Sequence, residues 1–454
     1  TAGITTVQAL QATTGTFSST GSFGGDVTVN SVSVGEGAGS VSGNTVVGAT
    51  ALDANTTGAS NTAIGFGALT ETTTGSSNTS VGRLSLASNV TGQQNTAVGK
   101  GTLNANLASD NTAVGMNAML NNTTGANNTA VGLSALLTNT TSSSNTAVGY
   151  NALLSNTTGY NGVAVGKDAL YANTTGANNI AIGVDTLDNN TTGSSNNAIG
   201  YGALGANTTA NSNTAIGHVA LTSNTTGTAN VAVGAEALDA NTTASNNTAV
   251  GKSAMGSNTT GANNTAVGQA ALATNVTSSG NTAVGRAALS ATTGDSNTAV
   301  GNGALENNSS ASSNTAVGKD ALYTNTTGTQ NVAVGAQALD ACTTASYNTA
   351  VGYQALTAST TAIVSTAIGW GALSSNTTGA QNTAVGANCM QNNTTGGSNV
   401  AMGRQALQAN TTASNNTAVG YTALSANTTG ANVTGLGYRS LINNTTGDQN
   451  TALG

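Results

Sequence analysis

The sequence predicts an all-β chain, a parallel β-solenoid (β-roll) of about 24 seventeen-residue coils. Three observations carry this. A glycine closing the phrase Asn-Thr-Ala-Val-Gly, or a near variant, returns from Gly48 to Gly454 in 24 intervals. Twenty-two of these intervals are 17 residues long and two are 16, Gly99 to Gly115 and Gly285 to Gly301. The 454 residues include 60 Gly and no Pro, which suits coils whose every N–H must pair with a neighbour. Finally, 8 basic and 15 acidic residues in the whole chain are far fewer than the quarter or so of charged residues in ordinary domains.

Counting from the repeat glycine as position 0, the consensus is G-x-x-A-L-x-x-N-T-T-G-x-x-N-T-A-V, as in residues 166–183. The Thr-Ala-Val segment is short and rich in β-branched residues, so it reads as the strand of each coil. Thr and Val share one face and Ala takes the other; neither face carries charge, so both are expected to be packed. The recurring glycine is expected at a positive-φ corner or a tight backbone approach. The Asn-Thr-Thr-Gly corner reads as turn chemistry. Both short coils lose their residue there (Asn106-Leu107-Ala108-Ser109 and Thr292-Thr293-Gly294), as a loop permits. The arm x-x-A-L-x-x is ambiguous, because strict alternation cannot bury adjacent Ala and Leu. It is either a kinked strand or one glycine-capped helical turn, and a short strand or bent extended arm is the preferred expectation.

Stacked coils would place Asn over Asn and Val over Val every ~4.8 Å, for a rod of roughly 115 Å. The buried Asn columns would then hydrogen-bond along the stack. A core this thin points to self-association, with three copies around an axis supplying further burial. Residues 1–29 lack the repeat and read as a linker or adaptor segment, 30–48 as a short-coil start, and 48–454 as the shaft. The chain stops on a complete phrase with no polar cap, so further protein or another subunit is expected at that end.

Composition excludes several functions. One His, two Cys and singly scattered carboxylates argue against an enzyme and against any cofactor or metal. A net charge of −7 with eight cations argues against nucleic acid. No apolar run reaches the ~20 residues of a membrane span, so no membrane insertion is expected from this segment.

One column gathers the unusual side chains. Position +1 holds seven of the eight cations and also Phe66, Tyr150, Tyr201, His218, Tyr353, Trp370, Tyr421 and Tyr438. Such variety requires solvent. It reads either as a solubilising stripe or as a ridge contacting a receptor or host-surface glycan. Lys167-Asp168 and Lys319-Asp320 are expected to be weak surface pairs. His218 has no metal-ligating companion. Cys342 and Cys389 sit three coils apart in different columns and should not form a disulfide. The Asn-Thr-Thr corners match the N-glycosylation acceptor but are expected to be bare. An ice-binding reading needs Thr-x-Thr on one exposed strand, and here each strand has at most one Thr.

Asn161-Gly162-Val163-Ala164-Val165-Gly166 resembles the N-S-V-A-I-G phrase of YadA-type trimeric autotransporter adhesin heads. Asn30-Ser31-Val32-Ser33-Val34-Gly35 and Asn44-Thr45-Val46-Val47-Gly48 start 14 residues apart, the usual coil length of that family. The longer seventeen-residue form resembles phage tail fibre shafts that end in an intramolecular chaperone domain. The lead-in from Thr14 to Val29 also resembles tail-fibre linker sequence. The resemblance implies a left-handed homotrimer and a virion or extracellular location. It also implies other virion or cell-surface proteins at the fibre's ends, and no catalytic residues. The function it implies is a structural shaft that positions a receptor-binding tip for host attachment. The alternative is a bacterial surface adhesin or extracellular filament.

Overall fold

The computed structural model describes residues 25–454. They form a parallel β-solenoid with one strand per coil, from β3 (Thr45–Gly48) and β4 (Thr62–Ile64) to β27 (Thr451–Leu453). Successive strands pair in parallel with no slip, Thr over Thr, Ala over Ala and Val over Val, as in Thr248↔Thr265, Ala249↔Ala266 and Val250↔Val267. The register survives both short coils, with Thr96↔Thr112 and Thr282↔Thr298 still opposed. The missing residue is absorbed at the corner, where Asn106 reaches the carbonyl two residues on instead of three.

The interior is a stack of three apolar columns: the strand Ala and the arm's Ala and Leu, for example Ala164, Ala169 and Leu170, all fully buried. The arm is neither of the expected forms. Position +2 and the Leu at +4 both take the left-handed conformation, with φ 55° at Asp168 and 52° at Leu170. The chain therefore runs through consecutive turns, and both Ala and Leu point inward, which an extended arm cannot achieve. A non-glycine residue in that conformation costs about 1–2 kcal/mol. Complete burial of the Leu returns about 1.5–3 kcal/mol. Its N–H is also satisfied between coils, Leu170 donating to the Thr186 carbonyl at 3.0 Å.

The repeat glycine meets both expectations placed on it. Gly251 has φ 132°, and a Cβ there would lie 2.6 Å from the carbonyl oxygen of Gly268 in the next coil. The corner glycine at +10 does not need its conformation. No positive φ occurs in that column, where Ala210, Ala244, Ala311, Ala345, Ala362 and Ala413 also sit. What the column supplies is a backbone acceptor: the Gly193 carbonyl accepts from Asn179 Nδ2 at 2.7 Å and from Asn190 Nδ2 at 2.9 Å.

Two buried Asn columns tie the coils together. At +13, the Asn196 N–H donates to Asn179 Oδ1 at 2.9 Å. At +7, Asn173 Nδ2 donates to Asn156 Oδ1 at 2.9 Å and to the Gly176 carbonyl at 3.0 Å. A row of corner Thr hydroxyls adds a third tie, with Thr174 Oγ1 donating to the Thr191 carbonyl at 3.0 Å. Removing one amide would strand its buried partners at about 1–3 kcal/mol each.

Two expectations are corrected. Within the single chain the strand is packed on its Ala face only; Thr and Val face outward, and the third strand residue is at least 36% exposed in twelve coils, among them those of Ile182 and Val267. Residues 30–48 are not a short coil: β1 (Val27–Val29), β2 (Val32–Gly35) and β3 run antiparallel, with Val27↔Val34 and Val34↔Val47 paired. Asp26 fixes this end through Glu36 N–H (2.7 Å) and Gly37 N–H (3.0 Å). The hairpin covers one open edge of the parallel sheet, which a solenoid requires. Most of the expected linker, residues 1–24, lies outside the described residues.

Candidate functional site: the exposed ridge

The turn after each repeat glycine throws the +1 side chain outward. All eight aromatic or histidine residues of the +1 column are exposed, from Tyr438 at 68% and Trp370 at 55% to Tyr421 at 42%. Coil spacing brings residues of successive coils into register, so some of them stack. Tyr201 and His218 lie 5.5 Å apart between ring centroids at 18°. Tyr421 and Tyr438 lie 5.6 Å apart at 11°, and the Arg404 guanidinium covers Tyr421 from the other side at 5.9 Å. Arg83 covers Phe66 at the same distance. Each such contact contributes about 0.5–1.5 kcal/mol and also fixes the orientation of the rings. Tyr353 and Trp370 stand on successive coils further along. Tyr150 stands apart from these groups, beside Lys167.

The charges are segregated. All eight cations lie at +1 or +2, and the arm also carries most of the acids of the coils. No strand position bears a charge in any coil. Lys167 Nζ pairs with Asp168 at 2.6 Å and reaches Asp185 at 3.8 Å; Lys319 pairs with Asp320 at 3.3 Å. The bond to Asp168 raises the Lys167 ammonium above its ordinary value, and since this amine is fully solvated the effect on stability is negligible. Partial burial pushes the Asp188 and Asp239 carboxyls up.

Both cysteines are buried and unpaired. Cys342 takes the place of a ladder Asn, its Sγ 3.7 Å from the Ala345 carbonyl, and Cys389 lies 3.2 Å from the Ala401 carbonyl. Burial pushes the two thiols up to about 11 and about 12. The corner Asn of the glycosylation-like phrase is buried and donates its amide hydrogens inside the stack, so the folded coil offers no acceptor amide at Asn173 or Asn190. Among the described residues no group of three or more His, Cys, Asp or Glu is placed to hold a metal ion, and no helix is long and apolar enough to cross a membrane.

Residue-type reasoning placed the ridge but missed what lies beside it: Tyr171, Asp185 and Asp188, from the +5 and +2 columns of two coils, join Tyr150 and Lys167 around a common recess. The signal available in the sequence was the repetition of Lys-Asp-Ala-Leu-Tyr at 167–171 and 319–323.

No protein-family model matches the chain, and no curated protein is similar to it.

Proposed function

We propose that the chain is a non-enzymatic fibre shaft that self-assembles along its strand face as a homotrimer. In this reading it serves a phage tail fibre and spaces a receptor-binding tip from the virion for host attachment. One observation carries the self-assembly: the third strand residue is apolar in every coil from Ile64 to Leu453, yet faces outward. A column held in water would accept charge, as +1 does. This one contains only Val, Ile, Leu and Met. The first strand residue is uncharged as well, being Thr, Val, Ile or, once, Asn197.

The size is sufficient. A strip roughly 115 Å long and three residues, or roughly 10 Å, wide covers about 1,100 Å². Stable interfaces bury about 800 Å² per partner. The number three, the left-handed sense and the virion setting come from the resemblance to YadA-type and tail-fibre repeats. The stiffness a shaft needs is supplied by the Asn and Thr ladders.

Sedimentation equilibrium at micromolar concentration tests the reading, with a trimer mass expected. A stable monomer overturns it. A monomer that also restrains ice growth would assign the Thr/Val face to water instead.

A further inference from the structure

The arm face carries a recess of about 360 Å³ between the coils that begin at Gly149, Gly166 and Gly183. Its size is near the lower end for small-molecule clefts. Tyr150 and Tyr171 line it with half-exposed rings, and Lys167, Asn151 and three carboxylates supply its polar groups. Asp168 is already engaged, receiving Lys167 at 2.6 Å and Asn151 Nδ2 at 3.0 Å. Asp185 has the long contact to Lys167, and Asp188 has a 3.3 Å bond from the Asn189 side chain beside local backbone N–H groups. Two carboxylates therefore retain acceptor capacity beside two aromatic faces.

The constellation occurs twice. Lys319, Asp320 and Tyr323 repeat Lys167, Asp168 and Tyr171, and in both places an Asp stands at +5 of the following coil, Asp188 and Asp340. The preceding corners differ (Asn156-Thr157-Thr158-Gly159-Tyr160 against Asn308-Ser309-Ser310-Ala311-Ser312), while the variable arm positions agree. The second copy is incomplete, with Asn302 in place of Tyr150 and Gln337 in place of Asp185.

We propose that the recess at Tyr150–Asp188 binds one ring of a neutral saccharide. Tyrosine faces cover the apolar C–H surface of such a ring. Asp185 and Asp188 accept from its hydroxyls, while Lys167 and Asn151 donate to them. A hydroxyl-bearing ligand uses donors and acceptors together, and this recess offers both. An anionic ligand would meet three carboxylates. Asp168 positions that ammonium and contacts no ligand. The inference does not rest on the shaft reading, because binding is measured whatever the state of assembly.

The test uses the full chain, with saturation-transfer NMR and titration calorimetry against glucose, galactose, N-acetylglucosamine and, as the anionic comparison, N-acetylneuraminic acid. At least one neutral sugar should bind at millimolar concentration. Tyr171→Ala and Asp188→Asn should each weaken that binding about tenfold. Tyr201→Ala, on the ridge outside the recess, should leave it unchanged. Tyr323→Ala should leave the stronger site intact. Absence of binding by all three neutral sugars, unchanged affinity in Tyr171→Ala, or preference for the acidic sugar would each overturn the proposal.

Discussion

Gly251 and Gly261 stand ten residues apart in one coil, and both would place an added Cβ against a carbonyl oxygen of the next coil. Distance alone ranks Gly261 as the worse site for alanine, since its Cβ would meet the Ser278 carbonyl even more closely than a Cβ on Gly251 meets Gly268. The backbone ranks them the other way. Gly251 has φ 132°, a region that side chains rarely enter, whereas Gly261 has an ordinary φ in a column that already holds six alanines. Holding Ala at such a φ costs about 1–3 kcal/mol. Backbone atoms cannot rotate away as a side chain can; at +10 the six alanines show that the coils adjust to a Cβ, whereas the column of Gly251 holds glycine alone and faces atoms at 2.6, 2.7 and 3.1 Å, which adds about 1–3 kcal/mol of overpacking. Gly251→Ala should therefore cost about 2–6 kcal/mol, and Gly261→Ala less than about 1 kcal/mol. Stability in a solenoid is a sum of nearest-neighbour terms, so the loss should be local. Amide hydrogen exchange is thus a better assay than a single melting temperature. Exchange should accelerate by a factor of about 30 or more at Thr265–Val267 in Gly251→Ala only. Equal acceleration in both variants would refute the claim that φ, rather than space, keeps this column glycine.

Three further outcomes follow from the same geometry. Cys342→Asn should stabilise by about 1 kcal/mol in denaturant unfolding, because Cys342 Sγ lies near the Asn325 and Ala345 oxygens that a ladder amide would bond, and the buried Ser359 Oγ above it lacks a partner. Val250→Lys, placing an ammonium on the strand face, should leave the circular dichroism unchanged and abolish self-association in sedimentation. Burial raises both thiols above their ordinary 9.0, so the neutral forms stabilise the fold below that pH, and the contribution is lost as pH rises through about 11 and then about 12. Accordingly, a thiol reagent at pH 9 should label Cys342 and Cys389 in denaturant but not in the folded chain.

What could be read from one sequence was whatever a column repeats. The spacing gave the stacking, the two Asn columns gave the ladders, and the variety at +1 gave a solvent-facing stripe. The arm was not legible because Leu170 and its counterparts occupy a conformation that Leu avoids in isolation. Burial between coils and an inter-coil hydrogen bond decide it, and neither is local. The +10 glycine misled for the opposite reason: Gly176 looks like turn chemistry, but its column is held by what its carbonyl accepts, as Ala210 demonstrates. At the start of the array, Asn44-Thr45-Val46-Val47-Gly48 follows the coil phrase so closely that spacing alone could not distinguish the antiparallel pairing with Val34 from another coil. The recess was hidden because its residues come from +1, +2 and +5 of three coils, and only the stacked geometry joins Tyr150 to Asp188.

A repeat array reports on its own environment, since each column samples the same position two dozen times. Columns that vary freely face water, as Arg83, Tyr150 and Ala235 do at +1; buried columns that vary little, such as that of Ala164 and Ala181, where Ser80 and Gly435 are rare exceptions, are fixed by packing. Burial and uniformity agree almost everywhere. They disagree at the outward strand residues, where Val131, Ile199 and Ile368 are exposed as if in solvent but uniform as if in a core. Had water been the steady neighbour, some of the Thr, Ser and Asn abundant elsewhere in the chain should have entered this column, because such a change costs little on an exposed strand. The disagreement is resolved if the face is covered in the assembled state. The same contrast separates it from the arm face, where Lys100 and Glu306 appear.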